Sequence, residues 1–495
     1  MQKRASGVLM PLSSLPSPYG IGTMGKAAYE FVDFLASAGQ KYWQLLPLGP
    51  IGYGDSPYAP LSAFAGNPYY IDLDTLIEDG LLTREEVSAP DWGCDPEKTD
   101  YGKLFENRFC VLRKAFNRGR ERYAHEMAAF AAENESWLPD YALYMAVKSH
   151  FGMQAPPDWP DEAIRTRKPE AVKAYREKLS EEIAYYSFLQ FLFFRQWEKL
   201  KRYANEKGIL LIGDIPIYAA MDSAEPWSER SLFQLNEKGQ PERVAGVPPD
   251  GFTPDGQLWG NPLYRWDRMK EDGYRWWIRR IAATKRLYDV IRIDHFRGLE
   301  SYWSVPAGDK TAAGGVWMPG PGMDLVGTLQ REFPSLPFIA EDLGYITPEV
   351  EKLLRDSGFP GMKVLQFGFS PDARSDALPC HLPENIVCYA GTHDNDTVKG
   401  WVMTGDPAQV AFAREYLNIR DGDWSWSFIR AGMGSVANLF IACMWDLLEK
   451  GSEARMKTPG SATGNWQWRM SPGSLTPELT AKLRRYTEIY DRIIK

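Results

Sequence analysis

Four acidic residues stand directly after short apolar stretches, where the strands of a parallel sheet would end. They are Asp214 in GDIPIY, Asp294 in RIDHFRG, Glu341 in AEDLG and Asp394 in THDND. A single aspartate in this position is often only the cap of the next helix. Because catalytic side chains of α/β barrels gather at the carboxyl ends of the strands, four such residues together predict a shared acidic cleft.

Carboxylates in such a cleft suit the chemistry of glycosidic bonds. A retaining enzyme needs an ionised carboxylate as nucleophile and a protonated carboxyl group as acid/base, about 5 to 5.5 Å apart. Arg292 precedes Asp294 by two residues, so on a strand both project to the same side and the guanidinium favours the ionised form. Glu341 follows an apolar run, which predicts a raised pKa and a retained proton. Asp394, beside His393, is suited to binding sugar hydroxyls and stabilising positive charge at C1.

Each of these residues also has a purely structural interpretation. Arg292 could be a salt-bridging residue of a barrel layer, and for His295 we favour a hydrogen-bonded core histidine, while for His393 both interpretations stay open. A metal cluster is a further alternative for the acidic segment. However, residues 394–396 lack the spacing of an EF-hand loop, and the five histidines form neither HxH nor HExxH. We therefore expect no metal site.

The apolar stretches that precede these residues alternate with helical segments. The strand-like runs lie at 42–46, 209–212, 290–293, 338–340, 363–367 and 386–389. Short apolar runs separated by helices predict βαβ units and a parallel sheet. The repetition favours a (β/α)8 TIM barrel over a doubly wound sheet, although periodicity alone does not choose between them.

Three helices between the runs have recognisable ends. The segment 28–35 carries apolar residues at helical spacing and stops at Gly39. Thr347 followed by proline predicts a helix start, and Gly358 its end. A long helix is predicted from about 177 to 207. Together these helices support the alternating pattern.

Two connections are too long for simple βα loops. We interpret residues of about 52–200 as an inserted, mainly helical subdomain, and about 215–275 as an inserted loop region over the active-site cleft. Both insertions belong to a single catalytic barrel domain spanning 1–495.

Composition and charge exclude several functional classes. The chain is 44% hydrophobic without a run of eighteen apolar residues, so we expect no membrane span, and its basic start lacks the apolar core of a signal peptide. A net charge of −8 without a long basic block disfavours nucleic-acid binding. Five scattered cysteines without a CxxC pair indicate free thiols in a reducing compartment, which predicts a cytoplasmic protein.

The acidic segments resemble those of a known enzyme family. GDIPIY (213–218), RIDHFRG (292–298), AEDLG (340–344) and THDND (392–396) stand in the order of the four conserved regions of the α-amylase clan, and their wording resembles amylomaltase, the 4-α-glucanotransferase or disproportionating-enzyme family. Further segments agree, namely GDSPY (54–58), SAFAGNPYYIDL (62–73), AGVPPD (245–250), GQLWGNPLY (256–264), LQFGF (365–369) and GNWQWR (464–469). The resemblance extends from near residue 11 to about 469.

The resemblance assigns roles to individual residues. It implies that Asp294 is the nucleophile, Glu341 the acid/base and Asp394 the transition-state stabiliser. The substrate-binding residues that it implies are Tyr58, Asp214, Asp250, Trp259, Arg292 and His393. It further implies a (β/α)8 barrel with insertions and no C-terminal β-domain, no metal or organic cofactor, and action on maltooligosaccharides and glucans derived from starch or glycogen.

The sequence departs from the family at two positions. Gly251 replaces the tyrosine of the usual PPDYF segment, so an acceptor-site role for that tyrosine does not carry over. Lys457 stands where the resemblance implies asparagine, and no role is assigned to it.

The sequence therefore predicts a 4-α-glucanotransferase that moves α-1,4-glucan segments by retaining double displacement. An α-glucan hydrolase of the same clan is the alternative, because it would share the carboxylates, and only the family wording favours transfer. A non-catalytic glucan-binding protein is disfavoured by the intact carboxylates. The oligomeric state is not predicted.

Overall fold

The computed structural model describes residues 4–249, 253–372, 374–461 and 463–493. The strands within these ranges are β1 (Ala5–Leu9), β2 (Tyr42–Gln44), β3 (Leu210–Ile215), β4 (Arg243–Val247), β5 (Gln257–Pro262), β6 (Val290–Ile293), β7 (Ser301–Pro306), β8 (Val316–Pro319), β9 (Phe338–Ala340), β10 (Gly361–Val364), β11 (Ile386–Tyr389) and β12 (Leu439–Cys443). The helices are α1 (Lys26–Ser37), α2 (Leu73–Glu78), α3 (Arg84–Ser88), α4 (Tyr101–Gly119), α5 (Ala124–Glu133), α6 (Leu138–His150), α7 (Glu162–Arg165), α8 (Pro169–Lys178), α9 (Ser180–Glu206), α10 (Ala224–Ser228), α11 (Trp266–Glu271), α12 (Arg275–Leu287), α13 (Gly322–Glu332), α14 (Pro348–Ser357), α15 (Val398–Thr404), α16 (Pro407–Tyr416), α17 (Trp424–Gly434), α18 (Met444–Leu447) and α19 (Pro477–Ile489).

Eight parallel strands form a ring at the centre of the molecule. Their order is β10-β11-β12-β1-β2-β3-β6-β9, so each strand pairs with the barrel strands before and after it in the chain. The backbone N–H of Ala340, in β9, donates to the carbonyl of Pro360 at 2.9 Å, immediately before β10, and thereby joins the two ends of the sheet. The predicted (β/α)8 barrel is confirmed.

The barrel strands are covered on both faces, as parallel sheets usually are. Every residue of β1, β2, β6, β9, β11 and β12 is buried. Buried polar side chains of the barrel strands also pair with one another. For example, the hydroxyl of Tyr389 donates to Oε1 of Gln44 at 2.8 Å. The paired and buried barrel strands therefore fix the positions of the strand ends that carry the acidic residues.

A second sheet, which the sequence analysis did not predict, lies among the long connections. It is antiparallel with the order β5-β4-β7-β8, so it joins the β3–β6 connection to the β6–β9 connection. The β2–β3 connection contains α2 to α9. The division of these segments into subdomains at about 52–200 and 215–275 stays a prediction.

The predicted helix ends are confirmed in two cases and corrected in one. Gly39, just past α1, has φ 71°, and α14 begins after the Thr347 cap and ends at Gly358, with φ 65°. The helix predicted from 177 to 207 is wrong at its start, because α8 and α9 meet at Leu179. That residue leaves helical geometry, with φ −108° and ψ 23°, and its side chain is buried in the core.

A second correction concerns the run predicted as a strand over 363–367. The strand β10 ends at Val364, and Leu365–Phe367 form a 3-10 helix.

The buried Arg492 binds the C-terminal segment to the end of the barrel at which β1 begins. The side chain of Arg492 is fully buried and donates to carbonyls at the start of β1 and around the α17–β12 connection. Its acceptors are the carbonyls of Ala5, Gly432, Met433, Ser435 and Ala437.

Replacement of Arg492 by alanine is expected to lower the free energy of unfolding by about 3 kcal/mol, because buried carbonyls lose a charged donor and a cavity forms. Chemical denaturation followed by circular dichroism measures this change. Arg484→Ala is the matched control, since that arginine lies on α19 in an exposed pair with Glu488. An equal loss in both variants would contradict the role given to Arg492.

Among the described residues, no helix is both long enough and apolar enough to cross a membrane. The five cysteines are free thiols. Cys388 and Cys443 are buried, and the other three are exposed.

Candidate active site

A buried arginine joins two acidic residues on neighbouring strands. Asp214 of β3 and Arg292 of β6 are register partners, so their side chains meet inside the barrel. Nη1 of Arg292 lies 2.7 Å from both carboxylate oxygens of Asp214 and 2.9 Å from Oδ1 of Asp294. Since a buried cation is tolerated only when it is paired, the two carboxylates stabilise the guanidinium. As predicted, Arg292 and Asp294 project to the same side.

The residue before Asp214 must be a glycine. A Cβ atom at Gly213 would lie 2.0 Å from the ring of Tyr288. Strand side chains alternate between the two faces, so close packing of Gly213 against the surrounding layer turns Asp214 into the barrel.

Glu341 follows β9 and is held by backbone donors. Its Oε2 accepts from the N–H of His295 at 2.7 Å, and its Oε1 accepts from the N–H of Leu343 at 2.8 Å. Burial raises the pKa of Glu341 to about 8, because the opposing charge of Arg292 does not offset burial and the neighbouring charge of Asp294. At neutral pH this carboxyl group therefore holds a proton, whereas the side chain of Asp294 is ion-paired and 27% exposed.

Asp394 projects from a turn that follows β11. The side chain of Asn395 closes the turn, since its Oδ1 accepts from the N–H and the hydroxyl of Thr392. Oδ2 of Asp394 lies 3.2 Å from Nε2 of His393, and Oδ1 accepts from Nζ of Lys457 at 2.8 Å. Burial acts to raise the pKa of Asp394, but the charges of His393 and Lys457 outweigh burial and hold it well below its usual value.

Lys457 is the site residue to which the sequence analysis assigned no role. It lies 63 positions from Asp394 in the chain, so no local spacing connects the two. The departure from the asparagine that the resemblance implies was the available signal in the sequence.

Tyr58 contacts both His393 and Asp214, the carboxylate that is paired with Arg292. Its ring stacks on the His393 ring, with centroids 5.1 Å apart and 17° between the planes, and its hydroxyl donates to Oδ2 of Asp214 at 2.8 Å. The ring of Trp466 lies 5.8 Å away on the same side. These aromatic rings form one wall beside Asp394.

Trp259 contacts His295, whose backbone N–H donates to Glu341. It lies on β5 and is 37% exposed, and its ring centroid is 4.8 Å from that of His295 in an edge-to-face arrangement. Burial lowers the pKa of His295 to about 3, so its ring is neutral. Its Nε2 has no hydrogen-bond partner among the described residues, so the interpretation of His295 as a hydrogen-bonded core histidine is wrong for this atom.

The structure thus brings Tyr58, Asp214, Arg292, Asp294 and Glu341 to one end of the barrel, and it places Asp394, His393 and Trp259 around them by the contacts above. Asp250 and Gly251 lie outside the described residues, between β4 and β5, which pair at Val247 and Gln257. Their roles stay predictions.

Comparison with known proteins identifies the family to which this site belongs. A family model described as 4-alpha-glucanotransferase matches residues 10–476. The chain belongs to the 4-alpha-glucanotransferase family. It is 47% identical over 496 residues to a 4-alpha-glucanotransferase of Streptococcus pneumoniae, covering 100% of this chain and 98% of that one. It is 46% identical to the 4-alpha-glucanotransferase of Thermus thermophilus, with 99% of both chains covered.

Solved structures support the same family. The amylomaltase from Streptococcus agalactiae, determined in complex with acarbose, has a TM-score of 0.97 at 45% identity, and the match covers 99% of this chain and 100% of that one. The amylomaltase from Corynebacterium glutamicum matches at 20% identity with a TM-score of 0.74, over 99% of this chain and 74% of that one, and shows the fold alone. The predicted enzyme class, a 4-α-glucanotransferase acting on α-1,4-glucans, is confirmed.

Replacement of Tyr58 by phenylalanine is expected to lower the kcat/KM of this glucanotransferase about tenfold. The variant keeps the ring on His393 but removes the hydroxyl that donates to charged Asp214, and such a bond contributes about 1.5 kcal/mol. Steady-state kinetics on maltotriose measure the loss. Tyr203→Phe is the matched control, because its hydroxyl donates to Asp33 in the helical layer at 2.7 Å. Equal effects of both variants would reject a role for Tyr58 in the site.

Proposed function

We propose that this glucanotransferase acts by retaining double displacement, with Asp294 as nucleophile, Glu341 as acid/base and Asp394 as stabiliser of positive charge. The observation that carries the proposal is the contrast between neighbouring carboxyl groups. Glu341 holds a proton because its pKa is raised to about 8, whereas Asp294 is paired with Arg292 and Asp394 with Lys457 and His393. A protonated carboxyl group beside an ion-paired carboxylate is the arrangement from which an acid and a nucleophile are assigned.

In the first step, Glu341 gives its proton to the scissile glycosidic oxygen while Asp294 attacks C1. The C1–O bond to the leaving glucan breaks, and its electron pair stays on the protonated oxygen. A bond from C1 to Asp294 forms on the opposite face, which leaves a β-linked glycosyl-enzyme and an ionised Glu341. Asp394 lies beside the developing positive charge at C1.

In the second step, ionised Glu341 takes the proton from the 4-hydroxyl of an acceptor glucan. The hydroxyl oxygen attacks C1, the bond to Asp294 breaks, and an α-1,4 linkage is restored with Glu341 protonated again. A sugar and a water molecule compete for this step, so positioning of the acceptor decides between transfer and hydrolysis. Exclusion of water by a covering segment would favour transfer.

We propose maltooligosaccharides and glucans derived from starch or glycogen as substrates. The support is the arrangement of aromatic and polar groups around the carboxylates. Tyr58, which is partly exposed, lies on the Asp394 side and Trp259 lies on the His295 side, and aromatic faces suit the apolar C–H faces of glucose rings. We assign substrate binding to Tyr58, Asp214, Trp259, Arg292 and His393, and, from the sequence, to Asp250.

We further propose that the segments of about 52–200 and 215–275 act as insertions that shape this cleft. Tyr58 and Trp259, one from each segment, support the assignment. A cytoplasmic location is proposed from the five free cysteines, which suit a reducing compartment.

Incubation with maltotriose tests transfer against hydrolysis. Transfer yields glucose and longer oligomers while the total concentration of reducing ends stays constant. A steady rise in reducing ends would reject the proposed transfer step. The Asp294→Asn variant should form neither set of products, which controls for contaminating enzymes.

A further inference from the structure

Both carboxylate oxygens of Asp394 are engaged by cationic or titratable side chains. Oδ1 accepts from Nζ of Lys457 at 2.8 Å, and Oδ2 lies 3.2 Å from Nε2 of His393. His393 is a direct chain neighbour and is buried, whereas Lys457 arrives from a separate loop and is 33% exposed. The carboxylate is thus held at two points from different parts of the chain.

The loop that carries Lys457 is fixed by hydrogen bonds on both sides of this residue. The carbonyl of Lys457 accepts from Nε of Arg455 at 2.8 Å, and the N–H of Thr458 donates to Oδ1 of Asn465 at 2.9 Å. The carbonyl of Met456 accepts from the N–H of Trp466 at 2.6 Å. An exposed lysine loses side-chain entropy when it forms an ion pair. Here the fixed backbone already directs the side chain towards Asp394.

We propose that Lys457 is a positioning residue that keeps the Asp394 carboxylate ionised and oriented for the donor sugar under acidic conditions. The inference rests on the proposed role of Asp394 as stabiliser. This position is also where the chain departs from the neutral asparagine that the family resemblance implies, so the property would distinguish this enzyme from relatives with asparagine there.

The charges around Asp394 determine in which direction its pKa changes when Lys457 is removed. His393 and Lys457 contact the carboxylate, Arg292 and Asp294 lie within electrostatic range of Lys457, and Tyr58 covers His393. A cation beside Asp394 favours its ionised form, so removal of Lys457 raises the pKa of Asp394. As the pH is lowered, Asp394 in such a variant therefore becomes protonated at a higher pH than in the wild-type enzyme.

The test compares Lys457→Met and Lys457→Asn with Lys457→Arg. Initial rates of maltotriose disproportionation are measured from about pH 3 to pH 8, with kcat and KM separated at each pH. Methionine and asparagine are expected to move the acid limb of kcat/KM upward by about one pH unit, so that kcat/KM on this limb falls roughly tenfold. Lys457→Arg, which keeps the positive charge, is expected to show the acid limb of kcat/KM at the same pH as the wild-type enzyme.

Lys450→Met is the matched control. Lys450 forms a pair of similar exposure at 3.0 Å with Glu97, which is not one of the carboxylates of the site, and its loss should leave the pH profile unchanged. Thermal unfolding midpoints show whether each variant is folded, and asparagine provides a second variant should methionine destabilise the loop.

Asp394→Asn separates this inference from the proposed function. Wild-type activity in Asp394→Asn would overturn the role of Asp394 and the inference with it. An inactive Asp394→Asn together with a wild-type acid limb in both neutral Lys457 variants would overturn the inference alone. An upward shift in the neutral variants, reversed by arginine, supports it.

Discussion

Replacement of Glu341 by glutamine is expected to reduce transfer between maltooligosaccharides by at least about 10³-fold, the scale of a lost general acid. The amide cannot protonate the leaving oxygen or take the proton of the acceptor. It also puts an NH₂ group against one of the two backbone donors, the N–H groups of His295 and Leu343, so some stability is lost as well. Initial rates on maltotriose, with thermal unfolding in parallel, measure both effects.

The pH dependence of the wild-type enzyme also tests the role of Glu341 as the acid. Glu341 must be protonated for the first step, and burial raises its pKa to about 8. Activity should therefore fall as the pH rises through about 8, and this basic limb reports loss of the proton. Retention of full activity well above pH 8 would contradict Glu341 as the acid.

An activated donor separates the acid role from a structural one. Fluoride leaves α-maltosyl fluoride without protonation, so Glu341→Gln should still release fluoride in the first step and accumulate a glycosyl-enzyme, detectable by mass spectrometry. Glu351→Gln, on the exposed first turn of α14, is the control and should behave as wild type. Equal losses on maltotriose and on the fluoride would point to misfolding of the site instead of a missing proton.

The sequence predicted the parts of the site that depend on local chain geometry. Arg292 and Asp294 are two residues apart on one strand, so their shared direction follows from strand periodicity, and the apolar residues before Glu341 already predicted its raised pKa. The alternation of apolar runs with helices favoured a barrel without excluding a doubly wound sheet, and the resemblance to the family implied the barrel. The resemblance to the family added the assignment of roles and the preference for transfer.

Other contacts depend on pairings that no local pattern encodes. Arg292 reaches Asp214 because the register of β3 against β6 places them side by side, and that register is set by the whole ring of strands. Lys457 reaches Asp394 from a loop 63 positions away.

The missed sheet has a similar explanation. The strands β4 and β5 precede β6, and β7 and β8 follow it, so this sheet depends on pairing between two separate connections. Although β8 is an apolar run like those of the barrel strands, all four of its residues are exposed. The break at Leu179 was missed because helical spacing continues on both sides of it.

Replacement of Asp294 by alanine is expected to have the largest effect on this enzyme, a loss of turnover on the order of 10⁵-fold, as for removal of a covalent nucleophile. The fold should persist, because Arg292 keeps both oxygens of Asp214 as partners at 2.7 Å. Loss of the carboxylate also opens space below C1. Small anions can occupy that space, so the variant tests the role of Asp294 by rescue as well as by loss.

With α-maltosyl fluoride and azide, Asp294→Ala should regain part of its turnover and form β-maltosyl azide, since azide attacks C1 from the face that Asp294 occupies in the wild type. Glu341→Ala, given the same reagents, keeps its nucleophile. Azide can then only intercept the β-linked glycosyl-enzyme from the other face, which gives α-maltosyl azide. Proton NMR distinguishes the two anomers by the coupling constant at C1. Opposite anomers from the two variants fix Asp294 as nucleophile and Glu341 as acid/base, and α-azide from Asp294→Ala would overturn the assignment, because it requires a nucleophile elsewhere in the cleft.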